Sequence, residues 1–465
     1  MHLKGIHLIM SDKSFYKRLF TLAVPIALQN IITFSVGLVD NIMVGSLGEL
    51  SISGVYLCNQ IQVILQMIVT GFGSALIVLA AQYWGKGDGK SVKNIIGIAL
   101  KIVIACSVLL WIAVFFFPEQ ILGLYSNEGN VVAEAVKYAR IICFTYFFFC
   151  VSNVLIAALR CIGVVKIGLY ISISTFIVNI FLNWVFIFGN LGAPALGIRG
   201  SAVATLSARL IEFIIVLSYI KFIDKKLFLR LKDLIGNNSA LMKDFFRYGF
   251  PVILGDILWG VNLSVQGGIV GRLGTASIAA VSIANTVFSM ISVGVYGTAN
   301  ASAIIIGNTV GEGDLNKVKR YSQKLQVVFL IIGLCTGVLL FFVKDYVLLL
   351  YQVSDETLDI ARTLMLVLSI TVVGTSYQMS TLTGIVRAGG ATHFVLINDL
   401  IFVWIIVIPL SCLAAFVIKA PMWVVFLCLK SDQILKCAVA VVKVNRYDWI
   451  KKLTKEFKSE DALQN

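Results

Sequence analysis

The chain has 465 residues, 59% of them hydrophobic and 13% charged, with a mean hydropathy of +0.93 and a net charge of +14. Soluble globular chains carry roughly 45–50% apolar and about 25% charged residues, so this chain has too few charges to cover a water-facing surface. A soluble enzyme, a nucleic-acid binder and a disordered scaffold are excluded on that ground, and an integral membrane protein is expected.

Twelve apolar runs follow one another: Leu19–Met43, Ile52–Ala81, Ile95–Phe117, Val136–Leu159, Ile167–Phe188, Gly200–Ile220, Pro251–Gly271, Ala279–Val310, Leu325–Phe342, Leu358–Ile385, Phe394–Ile418 and Met422–Val442. A helical span takes about 20 apolar residues. Lipid offers backbone groups no partners, so these runs are expected as helices and open strands are ruled out. The opening MHLKGIHLIMSDKSFYKRLF lacks a signal-peptide core and cleavage site, so the first run is expected to remain in the mature protein.

The basic residues mark every second loop. Lys4, Lys13, Lys17 and Arg18 precede the first run, and Lys86, Lys90 and Lys93, then Arg160 and Lys166, follow at alternate loops. The longest loop carries Lys221, Lys225, Lys226, Arg230, Lys232, Lys243 and Arg247. Lys317, Lys319, Arg320 and Lys324, then Arg387, and finally Lys443, Arg446, Lys451, Lys452, Lys455 and Lys458 complete the set. The intervening loops are poor in Lys and Arg and often acidic, as at Glu49, Glu119, Glu128, Glu134, Asp345, Asp355 and Glu356. This asymmetry predicts a multi-pass protein of the cytoplasmic membrane with both termini in the cytoplasm. The nine cysteines form no C-x-x-C pair and the three histidines are far apart, so neither a disulfide framework nor a zinc site is expected.

The chain also repeats itself. A shift of 226 residues brings Pro25 onto Pro251, Val44-Gly45-x-Leu47-Gly48 onto Val270-Gly271-x-Leu273-Gly274, Gly71 onto Gly297, and Gly85-x-Gly87-Asp88 onto Gly311-x-Gly313-Asp314. Arg160-x-x-Gly163 matches Arg387-x-x-Gly390 with one residue of slip. Two halves of six spans each and of the same topology follow, related by an axis normal to the membrane. The expected organisation is a six-helix bundle over 1–225, a cytoplasmic linker over 226–247, a second bundle over 248–445 and a cytoplasmic tail over 446–465.

These residues carry a resemblance. The pattern L-A-x-P-x(14)-D-x-x-M-V-G-x-L-G at Leu22–Gly48, followed by G-F-P-V-I-L-G-D, G-R-L-G-T, G-N-T-V-G-E-G-D and R-A-G-G in the second half, resembles the bacterial members of the MATE family, the multidrug and toxic compound extrusion transporters. The resemblance runs from about Phe15 to Trp449. It implies an all-α membrane fold of 12 helices, in two pseudo-symmetric six-helix bundles around a central cleft. It also implies export of small organic compounds, often cationic, in exchange for Na⁺ or H⁺. A lipid-linked oligosaccharide flippase of related fold is the alternative, and the scarcity of intramembrane cations counts against it.

Ionisable residues inside a span are functional candidates because they are expensive to place there. Asp40 has no Lys or Arg within helical reach and must find a proton, a cation or a partner on another helix. A carboxylate removed from water can take up and release protons, and with amide oxygens it suits Na⁺. Asn179 and Asn183 share one helix face at i and i+4. In the family the first-span Asp and a fifth-span polar pair form the cation or proton site. Some members have a second Asp where Asn183 stands, which leaves this chain with one carboxylate ringed by amides.

Asp256 follows Pro251 by five residues, where many relatives carry Glu, and the resemblance implies a substrate or second cation site there. Pro25 and Pro251 each remove a backbone hydrogen bond and are candidate bending points. Gln29, Asn30, Gln60, Gln62, Gln66, Trp259, Asn262 and Gln266 either line the cleft or hold helices together. Arg209 and Glu212 are spaced as an i, i+3 ion pair. Asp432 is expected between Lys430 and Lys436, and His393 as a loop residue. Gly85–Ser91 comes near a phosphate-binding loop, but Trp84 stands where its first glycine belongs. No catalytic cluster, resident cofactor or ATPase partner is implied; Na⁺ or H⁺, membrane lipids and small organic molecules are the expected ligands.

Overall fold

A computed structural model describes residues 12–454 apart from 127, 231, 232, 234, 235, 237, 350 and 352. Lys4, Lys232, Lys455 and Lys458, used above for orientation, and parts of the linker and tail lie outside the described residues. The first half contains α1 (Lys13–Gly45), α2 (Glu49–Gly85), α3 (Gly89–Phe116), α4a (Gly129–Ile142) with α4b (Thr145–Cys161), α5 (Lys166–Phe188) and α6 (Ile198–Ile223). The second contains α7 (Ser239–Gly271), α8a (Thr275–Ile291) with α8b (Val293–Glu312), α9 (Leu315–Leu348), α10 (Asp355–Arg387), α11 (Thr392–Val417), and α12a (Met422–Leu429) with α12b (Asp432–Arg446).

Nine of these helices are long and apolar enough to cross a membrane unbroken, and the pairs α4a–α4b and α8a–α8b, bent by 53° and 49°, bring the number to eleven. The twelfth is α12, which the apolar run Met422–Val442 presents as continuous. It breaks at Lys430 and Ser431, beside the charged Asp432 and Lys436.

The repeated residues fall where the fold needs them. α2 and α3 meet at Gly85-x-Gly87-Asp88. Gly87 takes a left-handed φ of +83°, and Asp88 caps α3 by accepting from the Ser91 amide at 3.0 Å. At the equivalent turn Gly313 has φ +82°, and Asp314 accepts from the Lys317 amide at 2.9 Å. The segment that comes near a phosphate-binding loop is thus a helix-to-helix turn with its N-cap.

Gly85 and Gly311 serve packing between the halves. A Cβ on Gly85 would lie 1.9 Å from the Asn308 carbonyl oxygen, and one on Gly311 would lie 1.9 Å from that of Gln82. Gln82 and Asn308 are themselves 226 residues apart. Deeper in, Gly71 backs onto Ile253 of α7 and Gly297 onto Ala23 and Ala27 of α1. The halves therefore meet through α1 on α8b, α2 on α7 and α2 on α8b, with glycines letting backbones touch at matched points.

The end carrying Asp12 and Leu453 is further tied. Lys324 of α9 donates to Asp12 at 3.0 Å, Gln82 Nε2 donates to the Ala388 carbonyl at 3.3 Å, and Gln82 Oε1 accepts from the Leu453 amide at 2.9 Å. Trp449 is fully buried against Gly389.

Pro25 sits inside α1, which runs through it without a break. Pro251 follows a π-type turn at Phe245–Gly249. Pro251 has no N–H for the Arg247 carbonyl four residues back, and His393 Nε2 donates to that carbonyl at 3.0 Å. His393, expected in a loop, is thus an exposed first-turn residue of α11 bridging to α7.

Candidate functional site

Each half holds a cavity of about 350 Å³. Thr70 and Ser74 of α2 and Tyr296 and Asn300 of α8b line both. These are two repeat-related pairs, so the wall between the cavities lies on the axis relating the halves.

The first cavity lies among α1, α2, α4b, α5, α6 and α8b. Asp40 of α1 lines it and accepts from Asn183 Nδ2. The same Nδ2 donates to Asn179 Oδ1 at 3.2 Å, and Asn179 Nδ2 reaches Thr205 Oγ1 at 3.4 Å. Both asparagines are buried, and Asn183 Oδ1 is left without a hydrogen-bond partner. The structure thus brings together the three residues singled out as the cation or proton site. The i, i+4 spacing on α5 stacks the two amides on one face, and α1 packing against α5 delivers the carboxylate to them.

The fit to Na⁺ or a proton rests on that orphaned oxygen. With Nδ2 turned to Asp40, Asn183 satisfies an ionised carboxylate; with the amide reversed, Oδ1 meets a cation or a protonated acid. Among the described residues no three His, Cys, Asp or Glu side chains gather as a metal cluster, and the oxygens beside Asp40 are those of amides.

Arg209 lies within electrostatic reach of Asp40 but is engaged elsewhere. It forms the expected ion pair with Glu212 at 2.7 Å and sits over the Phe149 ring at 4.8 Å. Gln29, Asn30 and Gln66 line this cavity; Gln60 and Gln62 line neither.

The second cavity is wired differently. Asp256 accepts from Arg387 Nη1 at 3.0 Å. Lys436 lies between two carboxylates, 2.8 Å from Asp399 and 3.4 Å from Asp432. Asp432 acts on both lysines as expected, pairing with Lys436 while Lys430, within its electrostatic reach, lies over the Phe426 ring at 5.4 Å; the addition is Asp399, which α11 supplies to Lys436 from across the cavity. Trp259 lines this cavity. Asn262 and Gln266 do not; Gln266 Nε2 donates to Asn262 Oδ1 at 3.2 Å, a bond within one helix.

Sequence reasoning gave Arg160 and Arg387 no site role, counting them only as loop charges and repeat markers. Arg160 Nη2 donates to Gln29 Oε1 at 2.6 Å, so both arginines reach into cavities. Their shared place in the repeated R-x-x-G motif is the signal that could have found them. It also missed Tyr296 and Asn300 on the wall between the cavities.

Twelve helices in two repeat-related halves, with facing cavities lined by carboxylates, define a secondary membrane transporter rather than an enzyme. The MatE family model matches residues 25–185 and 251–413. The chain belongs to that family, the MATE transporters. It is 24% identical over 401 residues to a probable multidrug resistance protein NorM of Thermotoga maritima, covering 85% of this chain and 84% of that one. It is likewise 24% identical over 406 residues to the multidrug resistance protein MdtK of Edwardsiella ictaluri, covering 86% and 87%. Among solved structures, the Vibrio cholerae MATE transporter VcmN, in mutant form, shares the fold with a TM-score of 0.86 at 18% identity, over 95% of this chain and 99% of that one. A MOP superfamily transporter from Pyrococcus furiosus gives 0.83 at 20%, over 97% and 99%.

Proposed function

We propose that this protein is a cation-coupled antiporter that expels small organic compounds from the cytoplasm, with Asp40, Asn179 and Asn183 as the coupling site. The observation that carries this is the Asp40 carboxylate inside the first cavity, held by one amide N–H and beside the unpartnered Asn183 Oδ1. Proton or Na⁺ arrival at Asp40 removes its need for that N–H, and reversal of the Asn183 amide then offers Oδ1 to the acid proton or the ion. A one-charge event is thereby turned into a rearrangement between α1 and α5. The drug-resistance names of relatives support organic compounds as cargo. Alternating Lys and Arg loops support cytoplasmic termini in the cytoplasmic membrane. One elementary charge moved through 100 mV is worth about 2.3 kcal/mol, so one imported cation sustains roughly a fortyfold gradient of a neutral compound.

The test is export from proteoliposomes with Na⁺ and pH gradients imposed separately. Asp40→Asn is expected to insert normally and lose gradient-driven export. If Na⁺ is the ion, Asn179→Ala and Asn183→Ala weaken the Na⁺ dependence; if H⁺ is the ion, they retain coupling with an altered pH profile. Wild-type export by Asp40→Asn against a gradient overturns the assignment.

A further inference from the structure

The two arginines of the repeated R-x-x-G motif have unequal partners. In each half the arginine bonds a residue 131 positions earlier, on the first helix of that half. Arg387 meets the carboxylate of Asp256, which cancels its charge. Arg160 meets only the neutral oxygen of Gln29, its Nε is buried without a partner, and among the described residues no carboxylate lies within ion-pair distance of it. Gln29 has little room to turn away. A Cβ at Gly168 would fall 2.6 Å from Gln29 Oε1, so the amide is held between the bare α5 backbone and the guanidinium.

A guanidinium does not lose its proton in a protein, and a buried charge without a counter-charge is costly. Arg160 lines the first cavity, so the missing counter-charge can arrive from within it. Arg209 and Glu212 neutralise one another. The uncompensated charges are then Asp40 and Arg160. Gln29 and Asp40 are eleven residues apart on α1, about three helical turns, which places them on one face roughly 16 Å apart. With Asp40 ionised, the cavity therefore offers one negative and one positive charge at separate places along α1.

We infer that Arg160 and Gln29 form an anion subsite, which takes the carboxylate of an amphoteric organic substrate whose cationic part lies toward Asp40. This rests on the transport function proposed above and narrows its cargo from organic cations to molecules carrying both charges. A carboxylate there would accept from the free guanidinium N–H groups as a charge-assisted bond.

The test uses a fluorescent rhodamine in its free-carboxylate form and its methyl ester, which differ only in that anion, with binding to purified protein read by anisotropy. The unmutated protein is expected to bind the free carboxylate at least about tenfold more tightly than the ester, as one charge-assisted hydrogen bond supplies. Arg160→Gln should abolish the preference and leave ester affinity within about twofold. Gln29→Glu should do the same without removing the arginine, because it installs the pairing that Asp256 and Arg387 already make. Equal binding of acid and ester by the unmutated protein, or a preference that survives Gln29→Glu in folded protein, overturns the subsite alone. Binding of neither form overturns it together with the organic-cargo reading. Phosphatidylglycerol that displaces only the free-carboxylate form would assign the anion to a lipid headgroup and overturn the substrate assignment.

Discussion

Gly311→Ala is the sharpest perturbation of the interface between the halves. The new Cβ would lie 1.9 Å from the Gln82 oxygen, 2.7 Å from its carbon and 2.9 Å from its Cα, all backbone atoms. Real Cβ atoms do not approach within 3.0 Å of such atoms, so α2 and α8b must part by about 1 Å at this crossing. Overpacking of this kind costs about 1–3 kcal/mol. If the halves separate at this crossing during transport, that cost falls on the state in which they touch, and opening becomes roughly fivefold to a hundredfold more frequent. Hydrogen–deuterium exchange of peptides covering 78–90 and 303–315 reads the opening directly. Gly85→Ala should act alike, since its Cβ meets Asn308 in the same way. Gly89→Ala is the control, because its Cβ meets nothing within 4 Å. Unchanged exchange and thermal stability in both Gly311→Ala and Gly85→Ala would refute the claim that these repeated glycines set the closure.

Asp12 is held below the usual carboxylate range by the Lys324 hydrogen bond, which outweighs its partial burial. A depressed value means that its stabilisation is present above about pH 4 and lost as pH falls through the folded value. Asp12→Asn should therefore lower Tm at pH 7, with the difference vanishing in acid; a constant difference from pH 7 to 3 refutes it. A cysteine placed at Lys225 in the unmutated background should react with an impermeant thiol reagent only from the cytoplasmic side, and external labelling would invert the proposed topology. Lys436→Met should lower thermal stability by about 3 kcal/mol at most, mainly through the buried Asp432, since Asp399 is 41% exposed, and adding Asp432→Asn should restore part of it; equal stability of Lys436→Met and the unmutated protein would show that Asp432 does not depend on the lysine.

What was legible in the sequence was whatever is local. Apolar runs mark helices because lipid enforces internal hydrogen bonding. The Gly-x-Gly-Asp turn is readable because Gly87 needs a left-handed backbone and Asp88 caps the next helix. The Asn179–Asn183 pair is readable because helical spacing fixes their common face. What was not legible was choice among distant partners. Nothing local distinguishes Arg160 facing a glutamine from Arg387 facing an aspartate, and nothing near Lys436 points to Asp399 on another helix. The bends at Cys143–Phe144 and Ser292 were also hidden, since both runs remain apolar through them.

The pattern of match and mismatch between the halves separates scaffold from chemistry. Gly71 and Gly297, Gly85 and Gly311, and the two Asp caps agree because both halves must cross and turn at equivalent points. The repeat position of Asp40 is Gln266, which is tied to Asn262 within its own helix. The repeat positions of Asn183 fall on Pro409 or Leu410, which offer no side-chain oxygen. The pairing of Asp40 with the α5 amides therefore has no counterpart at the repeat positions; the second half has a different carboxylate–amide chain, Asp432 with Gln433 and Gln378. In the other half the charges close on themselves as Asp256 with Arg387 and Asp399 with Lys436 and Asp432. Two halves that rock against each other need a symmetric contact surface, and glycine-lined crossings supply it. Coupling that motion to one ion needs only one half to change its charge state, and under the coupling role proposed for Asp40 the asymmetry there would supply that.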